Sequence, residues 1–173
     1  VLGVAAVIVV WPHVPGYIQG RFTVVIDHIT GNPDTYVEQT QGRGWQQTRS
    51  ILAIGSGGLF GQGYLQGTQT QSASEEALPA RHTDEIFAVC GEEFGMVGCI
   101  LVILLLTAII LRCVWVARRA NSPMAAYVAM GYAAMLLLQT VINIGMCLYV
   151  FPVVGLTLPF FSSGGSSIIT LYA

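Results

Sequence analysis

Residues 94–111, FGMVGCILVILLLTAIIL, carry no charge. At about 1.5 Å per residue this run covers roughly 27 Å, close to the hydrocarbon thickness of a bilayer. It reads as one membrane span, and that reading decides the fold class. The whole chain agrees: 54% of its 173 residues are hydrophobic and 9% are charged, with a mean hydropathy of +0.67. A soluble domain carries about 25% charged residues to cover its surface, so a soluble monomer is excluded, as is intrinsic disorder. All seven basic residues are arginines and the net charge is −2. No basic stripe exists to track phosphates, which excludes nucleic acid as a partner.

Downstream, no charged residue follows Arg119. Pro152, Gly155, Pro159, Gly164 and Gly165 divide this tract into a span over 124–150, a loop over 151–163 and the start of a third helix over 164–173. Upstream, the first full span begins at residue 84 and runs to 117. Residues 18–83 form an extracytoplasmic segment, and 1–17 are the end of a transmembrane helix. VLGVAAVIVVW begins without Met and has no basic flank or cleavage site of a signal peptide. Both ends read as cuts in a longer chain. The expected architecture is all-α: one membrane-domain fragment of a polytopic integral membrane protein.

Arg112, Arg118 and Arg119 cluster between the two full spans, and the positive-inside rule places that junction in the cytoplasm. The stretch from about Gly16 to Glu93, which holds all nine acids and the other four arginines and includes the outer end of the first span, then lies outside, together with loop 151–163. Within it, Gly31-Asn32-Pro33-Asp34 signals a turn, and WQQTRSILAI over 45–54 suits a short interfacial helix ended by Gly55-Ser56-Gly57-Gly58. The glycine cluster matches neither GxxxxGK[ST] nor GxGxxG, so close backbone packing is the better reading than a phosphate loop.

Counted at about 100° per residue from Asp84, Ala88, Gly91, Gly95 and Gly98 fall within about 40° of one helix face. Such a small-residue stripe lets another helix approach, and it points Asp84 into the bundle. Glu92 lies on the flank of this face, and Glu93 lies opposite, toward the headgroups. An ionisable residue facing a bundle interior is a functional candidate. Thr83 and Asp84 are also good helix caps, so capping and chemistry both remain open for Asp84. His82 with Asp84 lacks the further ligands of a metal site. Cys90, Cys99, Cys113 and Cys147 lie in apolar runs without CxxC spacing and read as buried thiols. Gln139 and Asn143 share a face one turn apart, as expected of interhelical hydrogen bonding. FPVVGLTLPFFSSGGSS is too apolar for a free loop, and irregular backbone at membrane depth needs protein cover or a cavity.

The runs AIGSGGLFGQG (53–63), GTQTQ (67–71), LPARHTDEIFAVCGEEFG (78–95), NIGM (143–146) and PVVGLTLPFFSSGGSS (152–167) resemble the SEDS family of peptidoglycan glycosyltransferases, the shape, elongation, division and sporulation proteins. The set covers most of the chain from Trp45 onward. The GTQ run and His82 look more RodA-like, the elongation branch, than FtsW-like. The resemblance implies a fold of ten transmembrane helices, of which this chain spans the end of the seventh to the start of the tenth. It also implies polymerisation of lipid II at the outer face of the bacterial cytoplasmic membrane, and a class B penicillin-binding protein as transpeptidase partner. The family's essential aspartate carries over to Asp84. The chain departs from the family pattern at Glu85, usually Phe; at Ser163, usually Tyr; at Arg49, usually Gln; and at Gln62, commonly Lys. A second carboxylate beside Asp84 can raise the pKa of one of the pair.

The expected chemistry is an inverting glycosyl transfer from a lipid pyrophosphate donor. Asp84 is the candidate general base on the acceptor hydroxyl. Arg49 and Arg81 are candidate cations for the pyrophosphate, with Mg or Mn as a candidate divalent cofactor. His82, Thr83, Glu92, Ser163, Gly164 and Gly165 complete the candidate substrate-binding set. A lipid-linked precursor transporter (flippase) and a non-enzymatic scaffold are the competing readings.

Overall fold

The computed structural model describes residues 15–31, 42, 44–70, 78 and 82–163. Its regular elements are four helices: α1 (Gly16–Thr30), α2 (Trp45–Gly57), α3 (Ile86–Arg119) and α4 (Pro123–Cys147). The helix expected from residue 164 lies outside the described residues, as does the helix end expected over 1–14. Helices α3 and α4 are long and apolar enough to cross a membrane. Pro123 opens α4 at the first helical turn, where its missing N–H costs nothing. Arg118 and Arg119 close α3 at the negative end of its dipole. Cys99, Val102 and Leu106 of α3 pack with Cys147 of α4 and Leu158 of the following loop. The outward faces keep Leu101, Leu104 and Leu111 at least half exposed, as a lipid-facing surface requires.

Helix α1 is a difference from the sequence reading, which ends a helix near residue 17. The structure instead starts one at Gly16 behind Pro15 and ends it at Gly31, whose φ of 68° is the left-handed cap that glycine favours. Its inward face is narrow. Val24 and Val25 pack on Tyr149 and Ile51, while Tyr17, Ile26 and Ile29 stay exposed, so the apolar pattern carries little period. His28 stacks on Tyr149 with ring centroids 4.0 Å apart.

Helix α3 is broken at Gly95, where φ 67° and ψ −162° form a combination essentially confined to glycine. The break frees backbone groups that must be satisfied where they are buried, and the glycine-rich segment after α2 satisfies them. Gln62 N–H donates to Glu92 C=O at 2.9 Å and Gly63 N–H to Glu93 C=O at 3.1 Å; Met96 N–H donates to Gly58 C=O at 2.9 Å and Val97 N–H to Leu59 C=O at 3.2 Å. The fit leaves no room for side chains. A Cβ on Gly57 would lie 1.9 Å from Gly91 O, and one on Gly61 would lie 2.1 Å from Glu93 O. The glycine cluster is therefore a close-packing device.

This break corrects two expectations. The small-residue stripe is not one continuous face: Gly91 meets Ile54 of α2, Gly95 meets Leu59 and Gly61, and Gly98 meets Phe94 of its own helix. Glu93, expected to extend outward toward the headgroups, is instead buried in protein at 4% exposure, because segment 58–63 covers the flank that an uninterrupted helix would leave open.

Candidate active site

The turn 82–85 leads into α3, which begins at Ile86, two residues later than expected, with Glu85 as its N-cap and no side-chain capping bond. The capping role weighed for Asp84 is thus not seen. The main chain of this turn is held from three directions. Asn143 Nδ2 of α4 donates to Asp84 C=O at 2.8 Å and to Leu156 C=O at 2.6 Å. Ser162 Oγ donates to Thr83 C=O at 2.6 Å. Ser163 donates to His82 C=O through both N–H, at 2.9 Å, and Oγ, at 2.7 Å. Loop 151–163 is therefore anchored on protein through Pro152, Leu158, Pro159 and Ser162, which are buried, and its Ser162-Ser163 pair clamps the motif that precedes α3. Two further contacts fix the other end of this loop: Gln47 Nε2 of α2 donates to Met146 C=O at 3.3 Å and Phe151 C=O at 2.6 Å, and Arg21 Nη1 of α1 donates to Val153 C=O.

With its backbone clamped, Asp84 keeps a half-buried carboxyl directed at the loop. A Cβ on Gly155 would lie 3.5 Å from Asp84 Oδ2, so Gly155, at φ 77°, brings bare backbone to the carboxylate. His82 is exposed and Thr83 half-buried beside it. In this structure Ser163, expected in the substrate set, contributes its bonds to His82. Gly164, Gly165 and Arg81 lie outside the described residues. Sequence reasoning missed Gln47, Gly155 and Ser162; Ser162 sits inside a quoted motif run, but nothing in the sequence distinguishes it from Ser163.

Glu85 is 1% exposed, and its Oε2 has no hydrogen-bond partner among the described residues. Burial pushes its carboxyl up to about 7; Ser50 and Gln46 of α2 oppose the rise and the Asp84 charge adds to it. Burial, more than the paired carboxylate, is thus the cause. Because the folded-state value lies above the unfolded 4.5, this group favours folding most at low pH, and its contribution is lost as pH rises toward and through about 7. Replacing Glu85 with Gln is expected to remove that loss, on the order of 3 kcal/mol in full. Thermal unfolding in detergent between about pH 4 and 8 checks this: the wild-type midpoint should fall relative to Glu85→Gln as pH rises, and parallel curves would contradict it.

Glu92 is fully buried, and its oxygens accept from Gln69 N–H at 2.7 Å, Thr70 N–H at 2.9 Å, Thr68 Oγ at 3.2 Å and Ser56 Oγ at 3.5 Å. Its carboxylate is occupied by the protein's own donors rather than presented to a ligand, which corrects its place in the substrate set. Arg49 lies half-buried on α2, with Nη1 donating to Gln69 Oε1 at 3.4 Å and its guanidinium 6.0 Å from the Trp45 ring. Among the described residues, no group of three or more His, Cys, Asp or Glu is placed to hold a metal ion. Within the same residues the four cysteines are free thiols.

The chain matches the model of the FtsW/RodA/SpoVE family of cell cycle proteins over residues 1–173. It is 46% identical over 132 residues to peptidoglycan glycosyltransferase MrdB of Escherichia coli, an alignment covering 76% of this chain and 35% of MrdB. To the probable peptidoglycan glycosyltransferase FtsW of Coxiella burnetii it is 47% identical over 131 residues, covering 74% and 34%. To stage V sporulation protein E of Bacillus subtilis it is 40% identical over 131 residues, covering 76% and 35%. The near-equal identities to MrdB and FtsW do not separate an elongation from a division role. A chain in the solved structure described as "Structural coordination of polymerization and crosslinking by a peptidoglycan synthase complex" matches with a TM-score of 0.67 at 30% identity, over 98% of this chain and 43% of that one. The chain spans about a third of the length of the curated relatives. Matched along its whole length and carrying two apolar spanning helices, it belongs to the FtsW/RodA/SpoVE family of membrane proteins, the SEDS peptidoglycan glycosyltransferases.

Proposed function

We propose that this segment, within its complete protein, forms the outer-face part of a polymerase that joins lipid II into glycan strands at the bacterial cytoplasmic membrane. The observation that carries the reading is Asp84 itself: a carboxyl whose main chain is clamped by Asn143, flanked by a loop locked to the preceding turn, and not used as a helix cap. Asp84 takes the proton from the acceptor sugar hydroxyl as that oxygen bonds to the donor's anomeric carbon, and the bond to the lipid pyrophosphate breaks with inversion. Arg49 binds the donor's pyrophosphate as its countercharge, alike in the bound substrate and at the transition state. A transpeptidase of the penicillin-binding class is the partner, in keeping with the synthase complex to which one relative belongs. The elongation role rests on the GTQ run and His82.

The broken helix α3 is the feature that favours the transport reading, because discontinuous helices also mark transporter sites. The complete protein in liposomes with lipid II separates the two. Glycan strands made without any energy source support the polymerase. Lipid II moved between leaflets with no polymer formed overturns it.

A further inference from the structure

The GTQ run acquires a place in the structure that the proposed chemistry leaves unused. Its backbone wraps one carboxylate: Gln69 and Thr70 give their amides to Glu92 and Thr68 gives its hydroxyl. Gly67 stands where a Cβ would lie 2.8 Å from Glu92 Oε2, so only glycine lets the loop close on it. Three donors and full burial make this an acceptor-only site, since a carboxylate offers two acceptor oxygens whereas a neutral amide at the same position offers one and places an NH2 where the other stood. The loop so fastened connects outward through Thr68, whose N–H donates to Gln62 Oε1 at 3.1 Å, and through Gln69. Gln69 C=O accepts from Leu78 N–H at 3.1 Å, and Gln69 Oε1 accepts from Arg49 Nη1. On α2, Gln46, Arg49 and Ser50 fall within one turn of each other, and Gln46 and Ser50 are the residues beside Glu85.

We propose that Glu92 is a positioning residue: it fastens loop 67–70 so that Gln69 holds the Arg49 guanidinium on the α2 face that meets the Asp84–Glu85 turn, ready for a pyrophosphate-bearing donor. This rests on the polymerase reading. Glu92 touches no substrate and acts through Gln69 and Arg49. Glu92→Gln turns an NH2 toward backbone amides that are themselves donors, so the loop loses its anchor while the volume is unchanged.

The test is lipid II polymerisation by the complete protein, with kcat and KM measured separately for wild type, Glu92→Gln, Gln69→Ala, Arg49→Gln and the Gln69→Ala/Arg49→Gln pair. Each single variant is expected to raise KM for lipid II about tenfold while kcat changes less than about twofold, and the pair is expected to be no worse than Arg49→Gln alone. Gln69→Ala keeps both backbone bonds to Glu92 and therefore carries the test where Glu92→Gln fails to fold. Wild-type protein that makes no polymer overturns the polymerase reading and this one with it. Active wild type with an unchanged KM in Gln69→Ala, or with multiplying effects in the pair, overturns the positioning role alone.

Discussion

Asp84→Asn in the complete protein is expected to lower kcat for lipid II polymerisation by about 10³-fold with KM little changed, the scale of a lost general base. The substitution is unusually clean here. Asn keeps the shape of the side chain and leaves the main-chain bonds from Asn143 and Cys147 to Asp84 C=O in place, so the turn should fold. It also separates basicity from shape, because Asn keeps the size of the side chain and one acceptor oxygen but cannot take a proton. A purely structural role predicts an almost silent change, whereas basicity predicts a dead enzyme. Turnover of purified variant and wild type, with matched insertion and elution on gel filtration, decides it. A near-normal rate would remove Asp84 from the chemistry.

The second large effect concerns Gly95. Alanine there must adopt φ 67°, ψ −162°, and its Cβ would stand 2.3 Å from Gly61 N and 2.6 Å from Leu59 O. Neither neighbour is a side chain that can swing away. The expected cost exceeds about 3 kcal/mol, a large fraction of ordinary stability, so Gly95→Ala should yield little folded protein. Gly131 of α4 is the comparison, since nothing lies within 4 Å of a Cβ placed there; Gly131→Ala should be neutral or stabilise by up to about 1 kcal/mol. Monodisperse yield and unfolding midpoint in detergent measure both. Equal behaviour of the two variants would mean that segment 58–63 does not close the break.

What the sequence reveals follows from what each residue must satisfy. The spans are legible because Leu101, Leu104 and Leu111 face outward and a lipid-facing surface demands an unbroken apolar run. The α2 helix is legible from the change of Gln-rich pattern to glycine at its end. The break at Gly95 is not, because a glycine within a helical pattern reads as a small residue packed against a neighbour; the only trace is a second glycine cluster some thirty residues earlier. The error over Glu93 descends from this one, since helical angle counting cannot be carried past a residue that leaves the helix. Glu92 illustrates the same limit at the site. Its partners Ser56, Thr68, Gln69 and Thr70 lie 22 to 36 residues away, so a carboxylate satisfied by a folded loop and one waiting for substrate look alike in sequence. Asp84 was legible as a candidate, but the clamp that sets its direction depends on Asn143 and Ser162, which sequence separation hides.

The interruption at Gly95 also has a mechanical meaning. A continuous helix is a rod, and a push or tilt on its inner end would arrive undiminished at residue 84. Cut at residue 95, the short stub that follows residue 84 is riveted by Gln62 and Gly63 to the segment after α2, while the longer part leans on α4 through Val102 and Leu106. The carboxyl thus takes its bearing from two supports, that segment and the end of α4 through Asn143, rather than from the axis of its own long helix.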